Sequence, residues 1–146
     1  HRMTVHDLQE FELAYAPPFS SAKDPVNMAG YVGSNVLNGD VKVAYWHEAM
    51  NADMSSTFLL DARESSEYEQ GHIPNAVNIP LGQIRSRLNE LPVDKEIIVN
   101  CQVGLRSYIA VRMLMQNGFS NVRNLSGGYK TYKAVEDDMK SRKIEE

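Results

Sequence analysis

The chain has almost no cysteine: Cys101 is the only one. That excludes an internal disulfide, a Cys-x-x-Cys redox pair and a multi-cysteine zinc site. His1, His6 and His47 fall at no metal-ligand spacing, so no metal is expected. Positive charge is not in excess either. Fifteen Lys and Arg stand against nineteen Asp and Glu, a net charge of −4. This argues against a nucleic-acid or anionic-membrane partner, because both reward a basic face. No apolar run approaches the roughly 18 residues of a membrane span. No signal peptide opens the chain, and a cytoplasmic location is expected. The chain starts at His1 rather than Met, and so reads as a processed product or a piece of something longer. What remains is an ordinary globular balance, 42% apolar and 23% charged over 146 residues. That length suits one domain or one domain with an appendage.

Two stretches have different habits. Residues 1–40 hold three of the six prolines, Pro17, Pro18 and Pro25. Thr4 is placed to cap a short helix through Asp7 and Leu8. Tyr15-Ala16-Pro17-Pro18-Phe19 cannot be regular helix, since Pro18 forces Pro17 to extend. A second helix is punctuated by Asp24 as N-cap, Pro25 as first residue and Asn38-Gly39 as the stop. Gly30 and Gly33 inside it cost about 1 kcal/mol each against Ala. They imply a backbone that comes close, expected from a neighbouring domain or subunit. Residues 41–146 read as α/β. Strands are expected at 41–45, 57–61, 76–79, 96–100 and 122–125, with helical patterns at 66–70, 81–88, 107–117 and 129–140. Glu96-Ile97-Ile98-Val99-Asn100 is β-branched and continuous, the mark of a strand buried on both faces. Such alternation predicts a mostly parallel five-stranded sheet with helices on both faces.

The chemistry concentrates after that strand, in Cys101-Gln102-Val103-Gly104-Leu105-Arg106-Ser107. A buried strand delivers Cys101 to its carboxyl end, where α/β sheets gather ligands. A loop containing Gly104 follows, and a helix opens near Leu105. Helix N-termini offer free N–H groups and about half a positive charge. Gly104 can take the positive φ that turns successive amides into one bowl. Arg106 can fold its guanidinium over the same place, or instead, or also, bridge the loop to the body. Together these favour an anion, and they predict a thiol pKa below the free value of about 8.5. Among supporting residues, Asp61 at a strand end either orients this loop or satisfies local backbone donors. Arg63 either meets an anionic substrate or forms a surface ion pair. His72 is expected to make a structural hydrogen bond in its turn.

Cys101 and Arg106 are separated by four residues, and this Cys-x4-Arg loop resembles that of the rhodanese family. A Cys-x5-Arg loop, built for phosphate, would be one residue longer. Leu60-Asp61-Ala62-Arg63-Glu64 with Glu67-Tyr68 and Gly71-His72-Ile73-Pro74-Asn75-Ala76 resembles the family's "DxR…E…GHIPGA" run. Asn124-Leu125-Ser126-Gly127-Gly128-Tyr129 resembles its closing "NLxGG" turn. Where the family often continues "GGxxAW", this chain has Thr131-Tyr132. The resemblance implies sulfur transfer: Cys101 takes sulfane sulfur from a donor as a persulfide, and an acceptor thiol removes it. The backbone amides from Gln102 to Arg106, with Ser107, would hold the charge. A non-catalytic partner-docking module, or a phosphatase- or arsenate-reductase-like enzyme, remains an alternative.

The first forty residues resemble something else. Leu13-Ala14-Tyr15-Ala16-Pro17-Pro18-Phe19 through Asp24-Pro25 and Gly30 is similar to the end of the dimerisation domain of FAD-dependent pyridine nucleotide-disulfide oxidoreductases of the coenzyme A-disulfide reductase group. Some members carry a carboxyl-terminal rhodanese domain and reduce coenzyme A persulfide or polysulfide with NADH. This resemblance implies FAD, NADH and coenzyme A in a full-length homodimer, with none bound by this chain unaided. It also implies a place for Tyr15 near the coenzyme A thiol site.

Overall fold

Five strands build one all-parallel sheet: β1 (Val43–Ala44), β2 (Thr57–Asp61), β3 (Val77–Asn78), β4 (Glu96–Asn100) and β5 (Val122–Leu125), in the order β1-β5-β4-β2-β3. The computed structural model describes residues 2–13 and 24–142. They fall into two compact units, His1–Val41 and Lys42–Glu146. The expected break at Tyr15–Phe19, and Tyr15 itself, lie outside the described residues.

β4 is central because both of its faces are apolar. Ile97, Ile98 and Val99 are all buried, each worth about 1.5–3 kcal/mol on leaving water. Its register against β2 pairs Leu60 with Val99 and Asp61 with Asn100. The carboxyl ends of β2 and β4 therefore lie side by side. One sheet face packs Leu59, Ile98 and Leu125 against Ala49 of α3 (Trp46–Met50) and Tyr132 of α6 (Gly128–Arg142). Alternation along the strand sends Ile97 and Val99 to the other face. There α5 (Leu105–Gln116) buries Ala110, Val111 and Leu114 and packs on β4 and β5. Tyr132, where the family pattern departs, is thus a core residue.

Several expected bounds shift for visible reasons. The strand expected at 41–45 shrinks to Val43–Ala44. The Val41 amide is drawn to Asn35 O, and Tyr45 becomes the N-cap of α3, a helix the sequence reading did not anticipate. The pattern at 81–88 forms two 3₁₀ turns, Leu81–Ser86 and Leu88–Glu90, rather than an α-helix. Gln83 N and Arg87 N bond three residues back, to Pro80 O and Ile84 O, and Gly82 weakens any longer helix. α4 (Ser65–Glu69) carries the side chain of Glu67.

The first unit pairs α1 (Val5–Gln9) with α2 (Pro25–Leu37). Thr4 and Asp7 cap α1 reciprocally, and Asp24 accepts from Val26 N at 2.9 Å. The glycines of α2 need no neighbouring domain or subunit to explain them, which corrects the expectation above. A Cβ on Gly30 would lie 2.8 Å from Gln9 N, and one on Gly33 would lie 2.6 Å from Val5 Cγ1. Gly30 meets the backbone of α1 and Gly33 the Val5 side chain, both within the same chain.

Candidate active site

Cys101 follows β4 directly, is 1% exposed, and sits at the mouth of the β2–β4 pair. Gly104 is the N-cap of α5 with φ 118°. That left-handed turn aims its amide back at the thiol, 3.1 Å from Sγ. The Ser107 hydroxyl lies 3.4 Å from Sγ and 3.1 Å from Gly104 O. Burial pushes the Cys101 thiol up. Donation from the Ser107 hydroxyl and the amides of Ser107, Gly104 and Val103 outweighs it and brings the pKa below the ordinary value. The Cys101 sulfur is therefore met by neutral donors of its own loop.

The loop is clamped from behind by the start of α6. Tyr129 N donates to Cys101 O at 2.8 Å and Lys130 N to Gln102 O at 3.0 Å. Gly128, with φ 58°, lets this contact form, since a Cβ there would lie 2.9 Å from the Gln102 carbonyl carbon. Asn124 of β5 adds a bond from Nδ2 to Gly104 O, 3.3 Å. The sequence run Asn124 to Tyr129 thus holds the Cys101 loop, a role its residue types alone do not reveal.

Two arginines flank this loop, and neither reaches Sγ. Arg63 was expected at a substrate or on the surface. Instead it is buried, 2% exposed, against Asp61, 0% exposed, with Nη2 2.7 Å from Oδ2. Its Nε also donates to Asp61, Nη2 to Gly71 O at 2.8 Å and Nη1 to Gln102 Oε1 at 3.4 Å. The Tyr129 ring covers its face, 4.2 Å from the guanidinium carbon. Asp61 accepts the Arg63 backbone amide as well, at 3.0 Å. So Asp61 both satisfies a local donor and, through Arg63 and Gln102, steadies the loop. The Gln102 side chain thus braces the loop against Arg63.

Arg106 was expected over the thiol, with a bridge from loop to body as the other possibility. The bridge is what forms. Its Nη1 and Nη2 meet Glu67 Oε2 and Oε1 at 2.5 and 2.7 Å. The pair is part-exposed, 31% and 33%. Donation from Arg106 holds the Glu67 carboxyl down to about 2. Arg106 still feels the Cys101 charge through space. Val103 and Leu105 stand 59% and 63% exposed beside it. His72 keeps to its turn, bonding Tyr68 O at 3.0 Å and stacking on that ring at 3.8 Å.

The sequence matches the rhodanese-like domain family over residues 43–135. The chain belongs to the rhodanese-like domain family. It is 42% identical over 77 residues to a protein of Allochromatium vinosum named sulfurtransferase, covering 53% of this chain and 72% of that one. Its fold is similar to reduced Bacillus anthracis CoADR-RHD, with a TM-score of 0.88 and 49% identity, over 93% of this chain and 24% of that one. It is also similar to an NAD-dependent persulfide reductase from A. fulgidus, with a TM-score of 0.75 and 37% identity, over 88% of this chain and 22% of that one. The rhodanese chain therefore spans about a quarter of the length of these two structures.

Among the described residues no group of His, Cys, Asp and Glu could hold a metal ion, and no helix is long and apolar enough to cross a membrane. The strand-to-helix loop after β4, where α/β folds hold a dinucleotide phosphate, here turns its Gly104 amide and Ser107 hydroxyl onto Cys101 Sγ.

Proposed function

We propose that Cys101 accepts sulfane sulfur as a persulfide and passes it to an acceptor thiol. The observation that carries this reading is the buried thiol at the end of β4, met by Gly104 N and Ser107 Oγ and set below its ordinary pKa. In the first step the Cys101 thiolate attacks the outer sulfur of a donor R–S–SH. A new S–S bond forms, the donor's own S–S bond breaks, and R–S⁻ leaves with the electron pair. In the second step an acceptor thiolate attacks the outer sulfur of Cys101–S–SH, and Cys101 leaves as the thiolate. The same donors serve both steps, since they stabilise the anion that attacks first and departs last. Among the described residues there is no other cysteine to resolve the persulfide, so the acceptor comes from outside. A phosphate-ester reading is weaker, because Arg106 is turned to Glu67 and leaves only neutral donors for a dianion.

The wider setting is part of the proposal. Residues 1–40 are read as the remnant of a dimerisation domain, and residues 41–146 as the sulfur-delivery domain of a cytoplasmic FAD- and NADH-dependent coenzyme A persulfide or polysulfide reductase. The likeness to a persulfide reductase and to CoADR-RHD supports this. FAD, NADH and coenzyme A would then be held by the rest of a homodimer, with Tyr15 at the coenzyme A site. The test of the chemistry is turnover of a low-molecular-weight persulfide with cyanide as acceptor. Thiocyanate should form with the wild type and fall to the uncatalysed rate in Cys101→Ser. Equal rates in the two proteins would overturn the reading.

A further inference from the structure

Two guanidiniums flank the Cys101 loop, and a carboxylate has taken each. Arg63 gives Nε and Nη2 to buried Asp61 and its remaining bonds to Gly71 O, Gln102 Oε1 and the backbone carbonyl of Glu67. Arg106 gives both terminal nitrogens to the two oxygens of Glu67. The four groups sum to zero charge, and the thiolate adds −1. Its hydrogen bonds come from the Ser107 hydroxyl and from the loop amides of Gly104, Val103 and Ser107, all neutral. Such donors can hold one sulfur anion. They do not compensate a second, doubly charged group that approaches it.

We propose that Glu67 is a specificity-determining, positioning residue. By holding Arg106 it denies that cation to the sulfonate end of a dianionic donor such as thiosulfate, and so turns the site toward donors whose leaving group is a simple thiolate. The inference rests on the sulfur-transfer reading above and goes beyond it in naming what the site refuses. With thiosulfate, Cys101–S⁻ attacks the outer sulfur, the S–S bond of the donor breaks, and sulfite leaves with the electron pair. Three negative charges enter that step and three emerge, with sulfite carrying two of them past the mouth where Glu67 sits. With the persulfide of 2-mercaptoethanol, one negative charge enters and one thiolate leaves. Glu67 acts only through Arg106 and the field at the mouth, and it touches neither the thiol nor the transferred sulfur. The part-exposure of the pair, 31% and 33%, lets the guanidinium swing once its partner is lost.

The experiment is single-turnover persulfidation of Cys101, followed by intact mass with each donor in turn. In Glu67→Gln the ratio of the thiosulfate rate constant to that for 2-mercaptoethanol persulfide should rise about tenfold, whatever happens to the absolute rates. Glu67→Asp keeps the charge and should keep a ratio close to wild type. Arg106→Gln leaves Glu67 as an unpaired carboxylate, and should move the ratio about tenfold the other way. This third arm decides the matter if Glu67→Gln does not fold. A ratio that stays within twofold of wild type in the folded Gln variants would overturn the proposal, as would a shift in Glu67→Asp equal to that in Glu67→Gln. If wild-type Cys101 gains no sulfur from either donor, the sulfur-transfer reading fails first, which separates the two outcomes.

Discussion

Ser107→Ala probes the thiolate cradle with one atom. Ser107 is fully buried, and its hydroxyl is the strongest of the groups that bring the Cys101 pKa down. The fold should survive the change. Gly104 O, the hydroxyl's other contact, keeps Tyr108 N at 3.0 Å and Asn124 Nδ2 at 3.3 Å. A hydrogen bond to a charged group is worth about 1.5–3 kcal/mol. At 3.4 Å, with a single proton shared between Sγ and Gly104 O, this one belongs at the lower end. Losing about 1.4 kcal/mol lowers the thiolate fraction roughly tenfold at a pH below the pKa. The more basic thiolate is also the better nucleophile, with a Brønsted slope of about 0.4–0.5, which restores roughly threefold. The net expectation is an iodoacetamide rate about threefold slower at a pH below the wild-type pKa and about threefold faster on the alkaline plateau. The two pH–rate curves should therefore cross. Curves that coincide, or that fall in parallel at every pH, would refute the hydroxyl's role as a thiolate donor.

Other perturbations follow from the same geometry. Asp61→Ala leaves the Arg63 guanidinium buried without its anion, and should cost about 3–5 kcal/mol in urea unfolding. Gly128→Ala forces a Cβ onto the Gln102 backbone at a positive φ. It should lose about 1–3 kcal/mol and slow Cys101 alkylation as α6 shifts off the loop. Glu67 has a folded pKa of about 2 against an ordinary 4.5, so the folded state binds fewer protons between those values. Its contribution is complete above pH 4.5 and is lost as pH falls through about 2. Unfolding free energies of wild type and Glu67→Gln should differ by a constant amount at higher pH and converge across that window. A constant difference down to pH 2 would show that the Arg106 pair does not stabilise the fold.

What the chain alone revealed, and what it hid, divides by distance in sequence. The strand Glu96–Asn100, the turn at Gly104 and the helix from Leu105 are contiguous, so patterning and glycine placement make them legible. The same holds for the thiol's lowered pKa, since Val103, Gly104 and Ser107 all lie within six residues of Cys101. The guanidiniums are another matter. Glu67 lies 39 residues before Arg106, and Asp61 reaches the loop only through Arg63 and Gln102. Arg63 takes Asp61 two residues away, but no local pattern says that Glu67 claims Arg106. The parallel register of β2 against β4 decides that. The 3₁₀ turns at 81–90 carry a similar lesson. Ile84 and Leu88 stand one α-helical turn apart in the sequence, yet the chain forms 3₁₀ turns there, with Ile84 buried.

Intact mass of the protein after exposure to 2-mercaptoethanol persulfide, with excess donor removed, measures the central step itself. The account predicts that the wild type becomes heavier by one sulfur atom and that a thiol acceptor returns it to its starting mass. Cys101→Ser should stay unchanged throughout. A wild type whose thiol alkylates readily yet gains no sulfur, or a Cys101→Ser protein that gains it equally, would contradict the account.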